Sequence, residues 1–433
     1  MWRDFFIKNN SVIYILGFIF IIQLGMTINL KALADEFPHY WQIKEYAYIP
    51  EGSVIINKAI TTPTHIHNLI GKVVHLGSKL EIGKALTKAG IFEKTDAFDL
   101  FLSRGVVTTL IFLTLLYLSY IARSNKLNTN YILLALVTIP ITLPYIPLIY
   151  TDILAVSLIA LSFVTGYTGK YFQSAISISL AVLIRQPSIV WILPILFLIS
   201  RDAQGLKEKF KVSIYHLLVC ISFIVFFILN KGVALGDRTS HEISLNLSNI
   251  WFFSFVFFVT TIGYFYPALK KAYALVLKLN TKKYIAHLIG TMCTLGIFLL
   301  YFYTYEIHHQ YNTRSYGWFL RNRLLDISTN ILWAKTLFGI FSVCGLIMFL
   351  AQAFSAKHKV SEYIFKVTAL VSISAMPLIE QRYYIPIFII SGFYLSISEK
   401  GFKLHTPALV QTMFNIIIGV CFFYGITHIK FFL

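Results

Sequence analysis

Apolar runs of about twenty residues, parted by short polar breaks, set the pattern of this chain. The first, Val12 to Leu30, carries no charge. At about 1.5 Å of rise per residue, a helix of that length crosses the roughly 30 Å core of a bilayer. It is followed by Lys31 and an acidic pair and lacks an Ala-x-Ala site, so it reads as a retained anchor, not a cleavable signal. Further runs fall near 105–122, 131–148, 150–168, 171–185, 187–200, 213–229, 250–267, 285–304, 330–354, 364–378, 383–398 and 408–428. With the anchor they predict an all-α, polytopic transmembrane bundle of about 13 spans, in which Pro140, Pro144, Pro147, Pro187 and Pro194 interrupt the third to the sixth. Residues 31–104 form the longest polar stretch, too apolar for a flexible linker, and Ile66–Leu80 and Glu81–Leu86 within it predict short surface helices. There is no fixed-period repeat and no soluble domain, so 1–433 reads as a single membrane-embedded domain.

Composition sharpens that class. The chain is 57% hydrophobic with a mean hydropathy of +0.71 and only 13% charged residues, where a soluble domain carries about 25%. A net charge of +18 invites a nucleic-acid reading. The Lys and Arg residues are dispersed among apolar spans and form no basic patch interleaved with aromatics, so nucleic acid is excluded as a partner, and topology and anionic membrane lipid account for the charge. Cys220, Cys293, Cys344 and Cys421 all lie inside apolar runs without metal-ligand spacing and read as small core residues.

The charge also orients the chain. Lysines crowd alternate breaks, as at Lys207, Lys209 and Lys211 or at Lys270, Lys271, Lys278, Lys282 and Lys283, whereas the intervening breaks hold mostly scattered arginines. The positive-inside rule puts the lysine-rich breaks in the cytosol and the 31–104 loop on the lumenal or external face. The loops richest in polar chemistry then share that face: 35–104, 150–152, 230–249, 305–330 and 380–384. A lone sequon, Asn246-Leu247-Ser248, falls there too.

Among these loops Asp35-Glu36 stands out, since carboxylates are scarce in this chain and a pair beside the bilayer lies where a lipid-borne substrate presents its head group. Asp35-Glu36-x-x-His39, Ile60-Thr61-Thr62-Pro63, Tyr150-Thr151-Asp152, Arg185-Gln186-x-x-Ile189-x-Trp191, Gly236-Asp237-Arg238-x-Ser240-His241 and Glu380-x-Arg382-Tyr383-Tyr384 occur in that order. Together they resemble the dolichyl-phosphate-glucose-dependent alpha-1,2-glucosyltransferase family of N-glycan assembly, polytopic enzymes of the GT-C class, over nearly the whole chain. Departures lie at Ile56-Asn57-Lys58-Ala59, where the family has Asp-Pro-Lys-Ile, at Thr64-His65-Ile66, which replaces its Pro-Gly-Leu-Tyr tail, and at Asn312-Thr313-Arg314-Ser315-Tyr316, where it has Asp-Asn-Arg-His-Tyr. The resemblance implies transfer of glucose from a polyprenyl-phosphate carrier to a lipid-linked oligosaccharide at the lumenal face of the endoplasmic reticulum. Action on another glycan, or in a bacterial inner membrane with an undecaprenyl carrier, stays open.

The chemistry can be argued beside the resemblance. A sugar on a polyprenyl phosphate already has a stable anionic leaving group, so no general acid is needed, unlike ordinary glycoside hydrolysis with its two carboxylates. One base must take the acceptor proton as the hydroxyl attacks opposite the phosphate, which inverts configuration. Asp35 is the first candidate and Glu36 the alternative; no cofactor or metal is called for. Arg104, Arg185, Arg314 and Arg382 sit at predicted boundaries on the right face, where a guanidinium can take phosphate oxygens bidentately or simply snorkel. Arg382 ranks first because Glu380 and Tyr383 surround it. Asp152 can hold a sugar hydroxyl, pair with one of these arginines or cap a helix. His39, Thr61, Thr62, Gln186, Asp237, Arg238, His241 and Tyr316 complete the expected substrate-binding set. His65, His67, His308 and His309 have no third ligand at a metal-binding spacing and read as interfacial loop histidines. A transporter or flippase of lipid-linked sugars is the competing class, but such proteins carry inverted repeats and midplane sites, whereas here the polar groups cluster on one face.

Overall fold

A computed structural model of the chain describes residues 11–33, 36–48, 64–127, 132–133, 139–233, 244–276, 281–309, 312, 323–355, 357–398 and 406–425. They contain sixteen α-helices and no strand. In order these are α1 (Ser11–Gly25), α2 (Glu36–Tyr48), α3 (Thr64–Lys79), α4 (Ile82–Lys88), α5 (Thr95–Ser124), α6 (Thr151–Tyr167), α7 (Tyr171–Ile184), α8 (Ile192–Ile199) and α9 (Gly205–Leu229), then α10 (Ser248–Val276), α11 (Thr281–Thr304), α12 (Arg323–Asn330), α13 (Leu332–Ser355), α14 (Lys359–Ser374), α15 (Ile385–Ser398) and α16 (Thr406–Tyr424). Thr95–Ser124, Gly205–Leu229, Leu332–Ala353 and Thr406–Tyr424 are each long and apolar enough to cross a membrane. Six shorter apolar helices accompany them.

Most expected apolar runs coincide with a helix, and one does not. Where a crossing was expected at 131–148, residues 139–150 run as bends and a single 3-10 turn at Leu143–Tyr145, all of it buried. Pro140, Pro144 and Pro147 explain this: each removes a backbone donor and clashes with the preceding turn of a helix. The surface helices expected at Ile66–Leu80 and Glu81–Leu86 are α3 and α4. Helix α2, directly after the acidic pair, was not foreseen.

Chain contacts divide the molecule into two compact units, 1–137 with 141–241 and 385–400, and 138–140 with 242–384 and 401–433. The first unit is built around α6, in which every residue from Thr151 to Gly166 is buried. Its sequence is apolar on all sides, and such a helix is stable only when neighbours enclose it. Phe163 packs against Phe393 of α15 at 5.4 Å between ring centroids. Polar side chains tie the helices where apolar attraction between them is weak in lipid: Ser162 Oγ donates to Ser174 O of α7 at 2.8 Å, and Ser174 Oγ meets His216 Nε2 of α9 at 2.9 Å.

In the second unit α10 packs on α13 with Phe255 stacked on Phe338 at 4.1 Å. The crossing is so close that a methyl group on Gly345 would overlap the Ser254 carbonyl. Helix α16 is fastened to α10 by Gln411, whose Nε2 donates to Val259 O at 2.9 Å, and by Asn415, whose Nδ2 donates to Thr260 O at 2.8 Å.

Candidate active site

Glu36 opens α2 and is fully buried, as is Arg104, one-third of the way along α5. Arg104 Nε donates to Glu36 Oε1 at 2.9 Å and Nη2 to Oε2 at 2.6 Å, a bidentate pair. The remaining guanidinium hydrogens close the C-terminal side of α1, reaching Thr27 O at 3.2 Å, Leu30 O at 2.8 Å and Lys31 O at 3.2 Å. Backbone amides complete the carboxylate: Leu33 N donates to Oε2 and Ile149 N to Oε1, each at 3.1 Å. All five guanidinium donors and both carboxylate oxygens are therefore engaged. Placed so, Glu36 has no open path to a substrate proton. Arg104, expected at headgroup depth, is instead sealed inside the unit and reaches no phosphate.

The Ile149 amide leads to the second group. Three residues on, in the first turn of α6, Asp152 Oδ1 lies 2.9 Å from Arg185 Nη2. Pairing with an arginine, one of the roles expected for Asp152, is present, and the residue at the N-cap position of α6 is Tyr150, which makes no side-chain cap. Asp152 is 6% exposed but Arg185 is 27% exposed, so this pair, unlike the first, is open on the arginine side. Arg185 ends α7 in an extended conformation, and Pro187 then starts the 3-10 turn Gln186–Trp191. Two buried polar atoms on these two segments have no hydrogen-bond partner, Thr151 Oγ1 and Gln186 Nε2. Such groups are rare in folded proteins, because leaving a buried donor unmet costs about 1–3 kcal/mol.

Helix α2 is held to the rest of the loop region by side chains, Tyr40 from its buried face and Lys44 and Tyr48 from more exposed positions. Tyr40 Oη donates to Asp96 Oδ1 at 2.9 Å, Lys44 Nζ lies 2.5 Å from the same atom, and Tyr48 Oη donates to Asp99 Oδ2 at 3.1 Å. Burial, with Asp96 adding to it, pushes the Tyr40 phenol above its ordinary pKa, and burial with the Asp99 charge does the same at Tyr48, so both remain donors. His39 Nδ1 is 3.0 Å from His67 Nε2 of α3, with the rings stacked at 5.2 Å. His67, expected as an interfacial loop residue, is thus a fully buried helix residue.

Glu380, Arg382 and Tyr383 belong to the second unit. Arg382 Nε donates to Glu380 Oε1, and both side chains are almost buried. The segment before them is gripped by three asparagines. Asn246 Nδ2 donates to Pro377 O at 2.8 Å, Asn249 Nδ2 to Met376 O at 2.8 Å, and Asn312 Nδ2 to Ile379 O at 3.0 Å while its Oδ1 accepts from Ile379 N. Tyr384 Oη donates to Asn249 Oδ1 at 2.8 Å. Asn246, the acceptor of the expected sequon, is 4% exposed and committed to this grip, so it is a structural residue and not a glycan site. Nothing in the sequence around these asparagines pointed to that role.

Asp35, Thr61, Thr62, Asp237, Arg238, His241, Arg314 and Tyr316 lie outside the described residues. Of the expected site residues, the structure brings Glu36, Asp152, Arg185 and Gln186 into one connected region through Ile149. Among the described residues no three His, Cys, Asp or Glu side chains come together as a metal site would require.

The sequence profile of the DIE2/ALG10 family matches residues 30–213 and 199–392. Curated relatives include proteins of Rattus norvegicus, 26% identical over 46% of this chain and 40% of the relative, and of Candida albicans, 24% identical over 63% of each. A Homo sapiens protein is 26% identical over 46% of this chain and 41% of its own length. All three are named Dol-P-Glc:Glc(2)Man(9)GlcNAc(2)-PP-Dol alpha-1,2-glucosyltransferase. The chain thus spans roughly half the length of the relatives it matches, from 36% to 63% among five of them. No solved structure matches it. Since the profile runs through almost all of the described helices and includes every motif from Asp35 to Arg382, the chain belongs to the DIE2/ALG10 family.

Proposed function

We propose that this protein is an integral membrane hexosyltransferase that moves glucose from dolichyl phosphate glucose to a lipid-linked oligosaccharide through an alpha-1,2 linkage, with inversion. The observation that carries the reading is the chain of contacts from Glu36 through the Ile149 amide to Asp152 and Arg185, which joins three separate family motifs. Family membership supplies the donor and acceptor classes. The reading includes a GT-C-like bundle acting as one membrane-embedded domain and a site on the lumenal face of the endoplasmic reticulum.

In this mechanism Asp35 is the base. Its neighbour Glu36 is locked by Arg104, which supports assigning the base to the other carboxylate of the motif. Asp35 takes the hydroxyl proton, the oxygen forms the new bond to the anomeric carbon, and the bond to phosphate breaks with its electron pair leaving on the carrier. Arg185, paired on one side to Asp152 and open on the other, is assigned to the departing phosphate charge, and Arg382, in the second unit, is retained as a substrate-binding residue. Thr151 Oγ1 and Gln186 Nε2 are hydrogen-bonding groups awaiting a sugar. His39, Thr61, Thr62, Asp237, Arg238, His241, Arg314, Tyr316, Glu380 and Tyr383 complete the donor and acceptor surfaces.

The test is to incubate membranes containing the protein with dolichyl phosphate glucose and glucosylated lipid-linked oligosaccharide, and to analyse the product. One added glucose in alpha-1,2 linkage is expected. Retained anomeric configuration removes the single-base mechanism, and transfer of another sugar, or only to another acceptor, removes the substrate assignment.

A further inference from the structure

Between α8 and α9, in the first unit, lies a groove of about 400 Å³. Leu196 and Phe197 form one wall, and Leu206, Lys209, Phe210 and Leu217 the other. On α9 these positions recur at helical spacing with Ser213 between them, so a single helix face lines the groove from its first turn inward. Helix α9 is otherwise poorly covered by protein: only 6% of its apolar window is buried, and Leu206 and Phe210 are 87% and 59% exposed.

The charge at the groove mouth is one-sided. Lys207, Lys209 and Lys211 are exposed and form no ion pair with a described carboxylate. The nearby acids are already committed. Glu208 accepts from Gln204 N at 2.7 Å, closing the start of α9, and Asp202 pairs with Arg201 at 3.0 Å. Basic residues clustered at the end of an apolar helix attract anionic lipid headgroups. The groove also has a fitting length. Leu206 to Leu217 covers about 16 Å of helix, close to the roughly 15 Å depth of one leaflet of a 30 Å core. That suits an ordinary acyl chain better than a long polyprenyl chain.

We propose that this groove binds one acyl chain of an anionic glycerophospholipid, with Lys209 on its headgroup and Lys207 and Lys211 flanking it. The site is independent of sugar transfer and makes the bound lipid part of the packing of α9.

The test uses the purified full-length protein, delipidated in detergent and titrated with phosphatidylserine or phosphatidylcholine of equal chain length, with retained lipid counted by native mass spectrometry. Phosphatidylserine is expected to be retained about fivefold more, the size expected of one lysine at an anionic surface, with the preference weakening in salt. Lys209→Glu should bring the two lipids to parity, and Ser213→Trp, which fills the groove, should abolish retention of both. Because Ser213→Trp can disturb α9, amide exchange of residues 205–217 in the unmodified protein provides a second measurement and should slow more with phosphatidylserine than with an equal concentration of phosphatidylcholine. Equal retention of the two lipids, a preference that survives Lys209→Glu, or unchanged exchange overturns the proposal. So does preferential displacement of phosphatidylserine by polyprenyl phosphate, which would assign the groove to a donor lipid.

Discussion

Two of the carboxylate–arginine pairs in the first unit, Glu36–Arg104 and Asp152–Arg185, are joined by three residues of backbone and differ in one respect. Glu36 and Arg104 are both wholly enclosed, whereas Asp152 is enclosed and Arg185 keeps 27% of its side chain exposed. An enclosed pair pays for desolvation with completed hydrogen bonds and cannot give any of them up to a ligand. A half-open pair keeps a guanidinium edge for one. The first therefore fixes the path of the chain around the acidic motif, binding the end of α1, the start of α2, α5 and the segment leading to α6. The second leaves that edge open, and the proposed function assigns it to the substrate.

The largest effect that bears on this contrast is in stability. Arg104→Met leaves Glu36 charged and buried without its partner and should cost about 3–5 kcal/mol, read as a lower thermal unfolding midpoint in detergent. Adding Glu36→Leu should recover only part of that loss, because the carbonyls of Thr27, Leu30 and Lys31 stay without donors. A fully recovered double variant would show that the pair matters only as charge.

Next in size is catalysis. Asp35→Asn keeps shape but cannot accept a proton, so turnover should fall by about 10²-fold or more with protein yield unchanged. If Asp35→Asn retains normal transfer, the acidic motif is architecture throughout and the division between its two residues disappears.

Arg185→Ala should then raise the donor KM by about tenfold, the loss of a charge-assisted contact, while costing less stability than Arg104→Met, because only the Asp152 side of this pair is enclosed. A stability loss as large as that of Arg104→Met would erase the difference between the pairs.

The smallest expected change is at Gln186. Gln186→Leu removes a buried donor that has no partner, so unfolding should be unchanged or raised by about 1 kcal/mol, while transfer should slow because a sugar contact is lost. Unaltered transfer would make Gln186 a packing residue.

Local pattern carried a good deal of this. The helices at Ile66–Leu80 and Glu81–Leu86 were legible because apolar residues recur there at helical spacing, and most of the apolar helices because apolar length alone marks them. The 131–148 stretch shows the limit of that signal. Its apolar length says buried, and its described part, 139–148, is buried, but three prolines keep that part from being a regular helix. Helix α2 escaped notice because its polar and aromatic residues carry no clean period; its side chains are fixed by Asp96, Asp99 and His67, all remote in sequence.

The sequence by itself determined that the protein is helical, apolar enough for a membrane and charged asymmetrically, and it marked the order of the motifs, since each of these is a property of composition or of neighbouring residues. Only the tertiary structure decided what the marked residues do. Glu36 and Arg104 stand 68 positions apart and Glu36 and Ile149 stand 113 apart, so no local pattern announces that a headgroup candidate and a candidate base complete one another. Whether an arginine is a clasp or a ligand depends on how many of its five donors the fold has already taken, and that count exists only once the chain has closed on itself.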